Sequence, residues 1–206
     1  MLFPNLVKYH VYDGSRLPSF AADAYEYILA GNGLVVRTET PFFTALVLAV
    51  TFSVRGLAPL RPQFRLKVGR IPEKLLSTVL ADARGVRRAN GGLNEVFYQF
   101  LHHGDRVRLH RPVQQTSSVA VLASGHDDGH TFCELHSHGN MRAFWSRTDD
   151  ADEQGARLYA VIGRLDTAPE ICVRVGVYGY WQPLPVTAVF TGAGGFTDLF
   201  YKETLS

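Results

Sequence analysis

Apolar and polar residues alternate in short runs along most of this chain, and a sustained helical period replaces that alternation in one stretch. Residues 6–12 alternate, stop at Asp13-Gly14 and read as a strand. Residues 25–30 and 34–38 flank Gly31-Asn32-Gly33 and predict a hairpin. Residues 45–54 have the continuous Val/Leu/Ala/Phe character of a strand buried on both faces, a signature that a short buried helix shares. Residues 55–62, with Gly56, Pro59 and Pro62, then break regular structure. The helical stretch opens at Ile71-Pro72-Glu73-Lys74, with proline in the first turn, where its missing N–H costs nothing. Leu75, Leu76, Val79, Leu80 and Ala83 share one face of it. Arg84, Arg87 and Arg88 crowd its expected C-terminal end, where they suit the macrodipole, and Asn90-Gly91-Gly92 is the expected stop. Such a cluster reads as a solvated helix end, with a partner-docking patch as the alternative.

The strand pattern resumes at residues 93–101, with Glu95 near the start on the face of Phe97, Gln99 and Leu101. A carboxylate among aromatics is costly unless it is paired or its pKa is raised. A turn is expected at His102-His103-Gly104-Asp105, with 106–111 pairing back. Residues 117–124 and 131–135 flank His126-Asp127-Asp128-Gly129-His130 and predict a second hairpin. Asp150-Ala151-Asp152-Glu153-Gln154 opens a short helix, with its carboxylates at the favourable end. Residues 158–163, 171–177 and 186–190 predict three more strands, Val173, Val175 and Val177 facing one way and Arg174 the other. Thr191-Gly192-Ala193-Gly194-Gly195 comes too late for a βαβ unit to follow and reads as a loop. Residues 198–205 predict a last short segment.

Composition narrows the class. A chain of 206 residues can bury a proper core, and 46% hydrophobic with 19% charged residues is ordinary for a globular protein. A net charge of +2 gives no argument for nucleic acid or an anionic membrane. The longest apolar run, 42–54, is interrupted by Thr44, Thr51 and Ser53 and is too short to span a bilayer. The first residues lack a basic segment followed by an apolar core, and two cysteines without a framework suit a reducing compartment. The expectation is a soluble, cytoplasmic protein.

The chemistry lies between His136 and Asp149. His136-Ser137-His138 follows the strand-like Thr131-Phe132-Cys133-Glu134-Leu135. Residues i and i+2 of a strand share a face, roughly 6–7 Å apart along the backbone, so two imidazoles can close on one metal ion. Asp149 comes eleven residues after His138, far enough for a loop to bring a carboxylate to the same point. Two histidines and a carboxylate, with a fourth position left to water, form a catalytic zinc ligand set. Other His-x-His readings fail on spacing. A cupin needs a Glu where this chain has Arg142 and Ala143, and the non-haem iron facial triad has a different order. A zinc deaminase needs His-x-Glu and a Cys-x-x-Cys, and Cys133 and Cys172 stand far apart. A histidine pair beside a helix-capping Asp is the bland alternative.

His-x-His, seven residues, Ser146, two residues, Asp149 resembles the motif of the JAMM (MPN+, JAB) zinc metalloproteases, and the resemblance covers about residues 70–190. That family adds an upstream Glu at the start of a strand following a helix, which Asn94-Glu95-Val96-Phe97-Tyr98 matches. Residues 144–153 and 158–163 look like the prokaryotic branch, where the chain is similar to a component of the PRTRC cassettes, plasmid-associated bacterial gene clusters. Gly139 departs from the Pro of many eukaryotic members and is expected to loosen the loop.

The resemblance implies an α/β (mixed α+β) fold, a deaminase-like α/β/α JAB domain. It is expected at 69–206, with a small β-rich subdomain at 1–68 packed on it. It also implies one catalytic Zn²⁺ with a bound water, held by His136, His138 and Asp149. Glu95 would take the proton of that water and return it to the leaving amine, and Ser146 would donate to the developing oxyanion. Glu134, on the histidine face of the strand, is the rival base. The implied reaction is amide or isopeptide hydrolysis beside a ubiquitin-like or peptide tail. PRTRC-like cassettes also encode a protein resembling ubiquitin-activating enzymes, a candidate partner. A non-catalytic MPN scaffold and a hydrolase of small amides are the alternatives.

Overall fold

The computed structural model describes residues 5–116, 121–124 and 129–200. It is a mixed α+β structure dominated by strands in two main sheets, with three helices among the described residues. The expected turn at 126–128 and the end of the 198–205 segment lie outside those residues. None of the described helices is long and apolar enough to cross a membrane. The chain divides into two units, one made of 1–68, 150–156 and 175–182, the other of 69–149, 157–174 and 183–206.

In the first unit five strands form a sheet in chain order: β1 (Val7–Val11), β2 (Tyr25–Ala30), β3 (Gly33–Glu39), β4 (Phe43–Thr51) and β5 (Gln63–Leu66). The β2–β3 hairpin closes at Ala30↔Gly33, as the Gly-Asn-Gly signal predicts. β4 begins and ends earlier than expected and is not buried on both faces. Phe43, Ala45 and Val47 are buried while Thr44, Leu46 and Leu48 are half-buried, so a period of two underlies an apolar run. β5 was not expected, because four residues after a proline-rich break carry little pattern. Glu26 is fully buried and accepts from Arg37 and from the Ala21 N–H at 2.9 Å. Tyr27 stacks on Tyr9, and its hydroxyl lies 3.0 Å from that of Tyr180.

The larger sheet runs in the order β13 (Tyr180–Leu184), β12 (Glu170–Val177), β11 (Ala156–Gly163), β10 (Thr131–Ser137), β6 (Phe97–His103) and β7 (Arg106–His110), with β14 (Thr197–Asp198) added to β12. Several expectations are corrected here. Among the described residues, 131–135 do not pair with 121–124, and 117–120 of the expected hairpin lie outside them. β10 pairs antiparallel with β6 and parallel with β11, while β8 (Val113–Thr116) pairs with β9 (Val121–Ser124). Phe132, Cys133 and Leu135 are buried, and such a strand gains most in a central place with partners on both edges. β6 starts at Phe97 rather than 93 and runs through His102 and His103, which are not turn residues.

Helix α1 (Glu73–Gly85) buries Leu76, Val79 and Ala83. Pro72 is its N-cap, and it stops at Gly85 rather than at 90–92, so Arg87 and Arg88 lie beyond it. Arg87 instead makes a paired contact with Asp166 at 2.7 and 3.2 Å. The glycine-rich loop after residue 190 packs on the start of α1. The Thr191 hydroxyl accepts from the Glu73 N–H, and a Cβ on Gly194 would meet Leu76 Cβ at 2.7 Å. Residues 186–190, expected as a strand, contain α3 (Val186–Val189). The β-branched valines mislead there, because Pro185 caps the turn and Asp198 accepts from the Val186 N–H at 2.8 Å.

Candidate metal centre

His136 is the penultimate residue of β10, opposite Phe97 on β6 and Val161 on β11. The ladder continues one residue past the strand, where the His138 N–H donates to the Ile162 carbonyl at 2.8 Å. Between the histidines, Ser137 is fully buried and fastens the neighbouring chain. Its N–H donates to the Val96 carbonyl at 2.9 Å, and its Oγ accepts from the Val96 N–H at 3.0 Å. Glu95 is the next residue along, and its carboxyl feels both His136 and Asp149. The middle residue of His-x-His thus brings the distant Glu to the site. Gln114 supports the same segment: its amide accepts from the Phe97 N–H at 2.7 Å and donates to the Phe97 carbonyl at 3.0 Å. Neither role was legible in the sequence, since serine and glutamine at these positions carry no pattern.

The return loop is tied down at both ends. Gly139 has φ +56°, a left-handed conformation closed to proline, so glycine here sets the turn and does not merely loosen it. Leu165 N–H donates to the Gly139 carbonyl at 3.1 Å, and Arg164 N–H to the Met141 carbonyl at 2.7 Å. Gly163, at the end of β11, admits this loop closely. A Cβ there would lie 2.4 Å from Ala143 N and Met141 O. Ala143 is buried, Trp145 packs inward, and Phe144 between them is exposed, its ring centroid 4.6 Å from that of His138.

Helix α2 (Arg147–Asp152) starts earlier than residues 150–154 predict, which puts Asp149 in its first turn. Ser146 and Asp149 form a reciprocal capping box. Ser146 Oγ accepts from the Asp149 N–H at 3.1 Å, and the Asp149 carboxylate accepts from the Ser146 N–H at 2.6 Å. The Ser-x-x-Asp spacing therefore has a local reason, since each residue orients the other. The serine oxygen accepts this bond, and its own O–H can still donate.

The three expected ligands converge. Donor atoms of His136, His138 and Asp149 all lie within 4.8 Å of one another. The two Nε2 atoms are 3.1 Å apart, with 3.1 Å from His136 Nε2 to Asp149 Oδ1 and 3.8 Å from His138 Nε2 to Asp149 Oδ2. Tetrahedral zinc with bonds of about 2.0–2.1 Å needs ligand atoms roughly 3.3 Å apart, so two imidazoles and a carboxylate at these separations fit that ion.

Electrostatics agrees with the fit. Burial, helped by the neighbouring His136, pushes His138 down to about 4, which keeps it neutral and able to ligate at pH 7. Burial acts to raise the Asp149 carboxyl, but the His136 imidazole and the Ser146 N–H outweigh it and hold the group well below the usual carboxylate range. Glu95 is 7% exposed, and burial pushes its carboxyl up, with His136 pulling down and Asp149 adding to the rise. Glu134 shares the partly exposed face of β10 with His136, but Arg157 Nη1 lies 2.5 Å from its carboxylate, which commits it to an ion pair.

No curated protein matches this chain. Residues 84–175, the stretch that carries Glu95, His136, His138, Ser146 and Asp149, match the family model described as prokaryotic homologs of the JAB domain.

Proposed function

We propose that this chain is a zinc-dependent metallopeptidase that hydrolyses amide or isopeptide bonds, acting beside a ubiquitin-like tail. The observation that carries the reading is the convergence of His136, His138 and Asp149 beside a buried carboxyl, Glu95, which feels the charges of His136 and Asp149. When bound, zinc supplies Lewis-acid polarisation and lowers the pKa of a water to about 7. Glu95, whose proton affinity burial raises, accepts a proton from the attacking water and delivers it to the departing amine. Water adds across the C–N bond, leaving a carboxylic acid and an amine. Ser146 holds Asp149 in place and offers its O–H to the carbonyl oxygen as charge develops there.

The match to the JAB family model supports the domain; the ubiquitin-like substrate comes from the resemblance to JAMM metalloproteases and to PRTRC cassette proteins with their activating-enzyme-like neighbour. Metal analysis of the purified protein, followed by cleavage of a ubiquitin-like fusion and of a panel of small amides, tests the proposal. The expected result is one zinc per chain and cleavage of the fusion that Glu95→Gln abolishes. Stoichiometric zinc without cleavage of any amide would assign the chain to the non-catalytic scaffolds. No zinc uptake would remove the metal centre itself.

A further inference from the structure

Asp149 stands in a six-residue helix none of whose residues is buried. A helix so short has no stability of its own in water, and this one is covered only in part, at Asp149 and Asp150. Its carboxylate nevertheless has to stay 3.1 Å from His136. The chain just upstream supplies an anchor. Trp145 packs against the buried cluster of Ala143, Val161, Cys172 and Leu199, and the guanidinium carbon of Arg174 lies 3.8 Å from its ring centroid. Arg174 is 4% exposed in β12, a strand buried along its whole length. An aliphatic residue would fill that place at less desolvation cost. A cation centred over an indole adds a directed attraction that aliphatic packing lacks, and so fixes where the ring can lie.

We propose that Arg174 and Trp145 are positioning residues for metal binding: their stack fixes the chain before Ser146, and the capping box passes that position on to the Asp149 carboxylate. The inference rests on the metal-centre reading above. It is tested on the full chain with Trp145→Leu, Trp145→Phe and Arg174→Met, using Asp149→Ala as the limit. Three quantities are read: zinc affinity by chelator competition, the absorption spectrum of the Co²⁺-loaded protein, and the thermal midpoint of the metal-free form. Trp145→Leu keeps an apolar side chain and should lower zinc affinity about ten- to hundredfold, with an altered cobalt spectrum. Trp145→Phe keeps a ring face for the guanidinium and should recover most of both. Arg174→Met should resemble Trp145→Leu if it folds, and if it does not, the leucine–phenylalanine pair decides. A folded Trp145→Leu protein with wild-type affinity and spectrum overturns this inference alone. Failure of the wild-type chain to take up either metal overturns the centre on which it rests.

Discussion

Metal-free protein should lose stability as pH falls from 6.5 to 4, and His138 is the reason. Its imidazole is 5% exposed and pushed down to about 4 from an ordinary 6.5. In that window the unfolded chain binds a proton at this histidine and the folded chain does not, so acid favours unfolding. The slope approaches about 1.4 kcal/mol per pH unit, and over the window the loss is roughly 3 kcal/mol, an order-of-magnitude figure because His136 and Asp149 share the titration. Glu95 works the other way. Its raised carboxyl takes a proton in the folded state first, which adds stability as pH falls. Asp149 is depressed, so its contribution is present above its ordinary 3.8 and is lost only below that value. The test is therefore a difference: urea unfolding in chelator at several pH values, for wild type and for His138→Gln, which cannot titrate. The wild type should fall more steeply between pH 6.5 and 4, and parallel curves would refute the argument.

Glu95→Gln should abolish amide hydrolysis while zinc content and thermal midpoint stay at wild-type values, and Glu134→Gln, which breaks the pair with Arg157, should keep most activity; steady-state rates and elemental analysis check both. Ser146→Ala removes the hydroxyl that accepts from the Asp149 N–H and should cost about 1 kcal/mol of stability, read by urea unfolding. If Ser146 also serves as an oxyanion donor, kcat should fall by roughly 10²–10³ at full zinc occupancy. A fragment beginning near Lys67 leaves Tyr178 and Tyr180 without the rings of Tyr25 and Tyr27, and is expected to aggregate in size-exclusion chromatography.

The candidate ligand set was legible because metal chemistry constrains residue type and spacing together. His136, His138, Ser146 and Asp149 announce themselves in fourteen residues, and no tertiary fact is needed to read them. The strong local signals held as well: the Gly31-Asn32-Gly33 hairpin and the apolar face of α1 follow from nearest-neighbour patterning. What depends on partners distant in sequence was not legible. The pairing of β10 with β6 and β11, rather than with the segment before it, is decided by which central place buries Phe132 and Leu135. That pairing, locked by Ser137 on Val96, is what carries Glu95 to His136 and Asp149. The buried Arg174 under Trp145 and the bare backbone of Gly163 beneath the return loop belong to the same class. Each is an ordinary residue until folding places another chain segment against it. Sequence alone determined which atoms could bind a metal; the strand register and the loop anchors decided that those atoms meet.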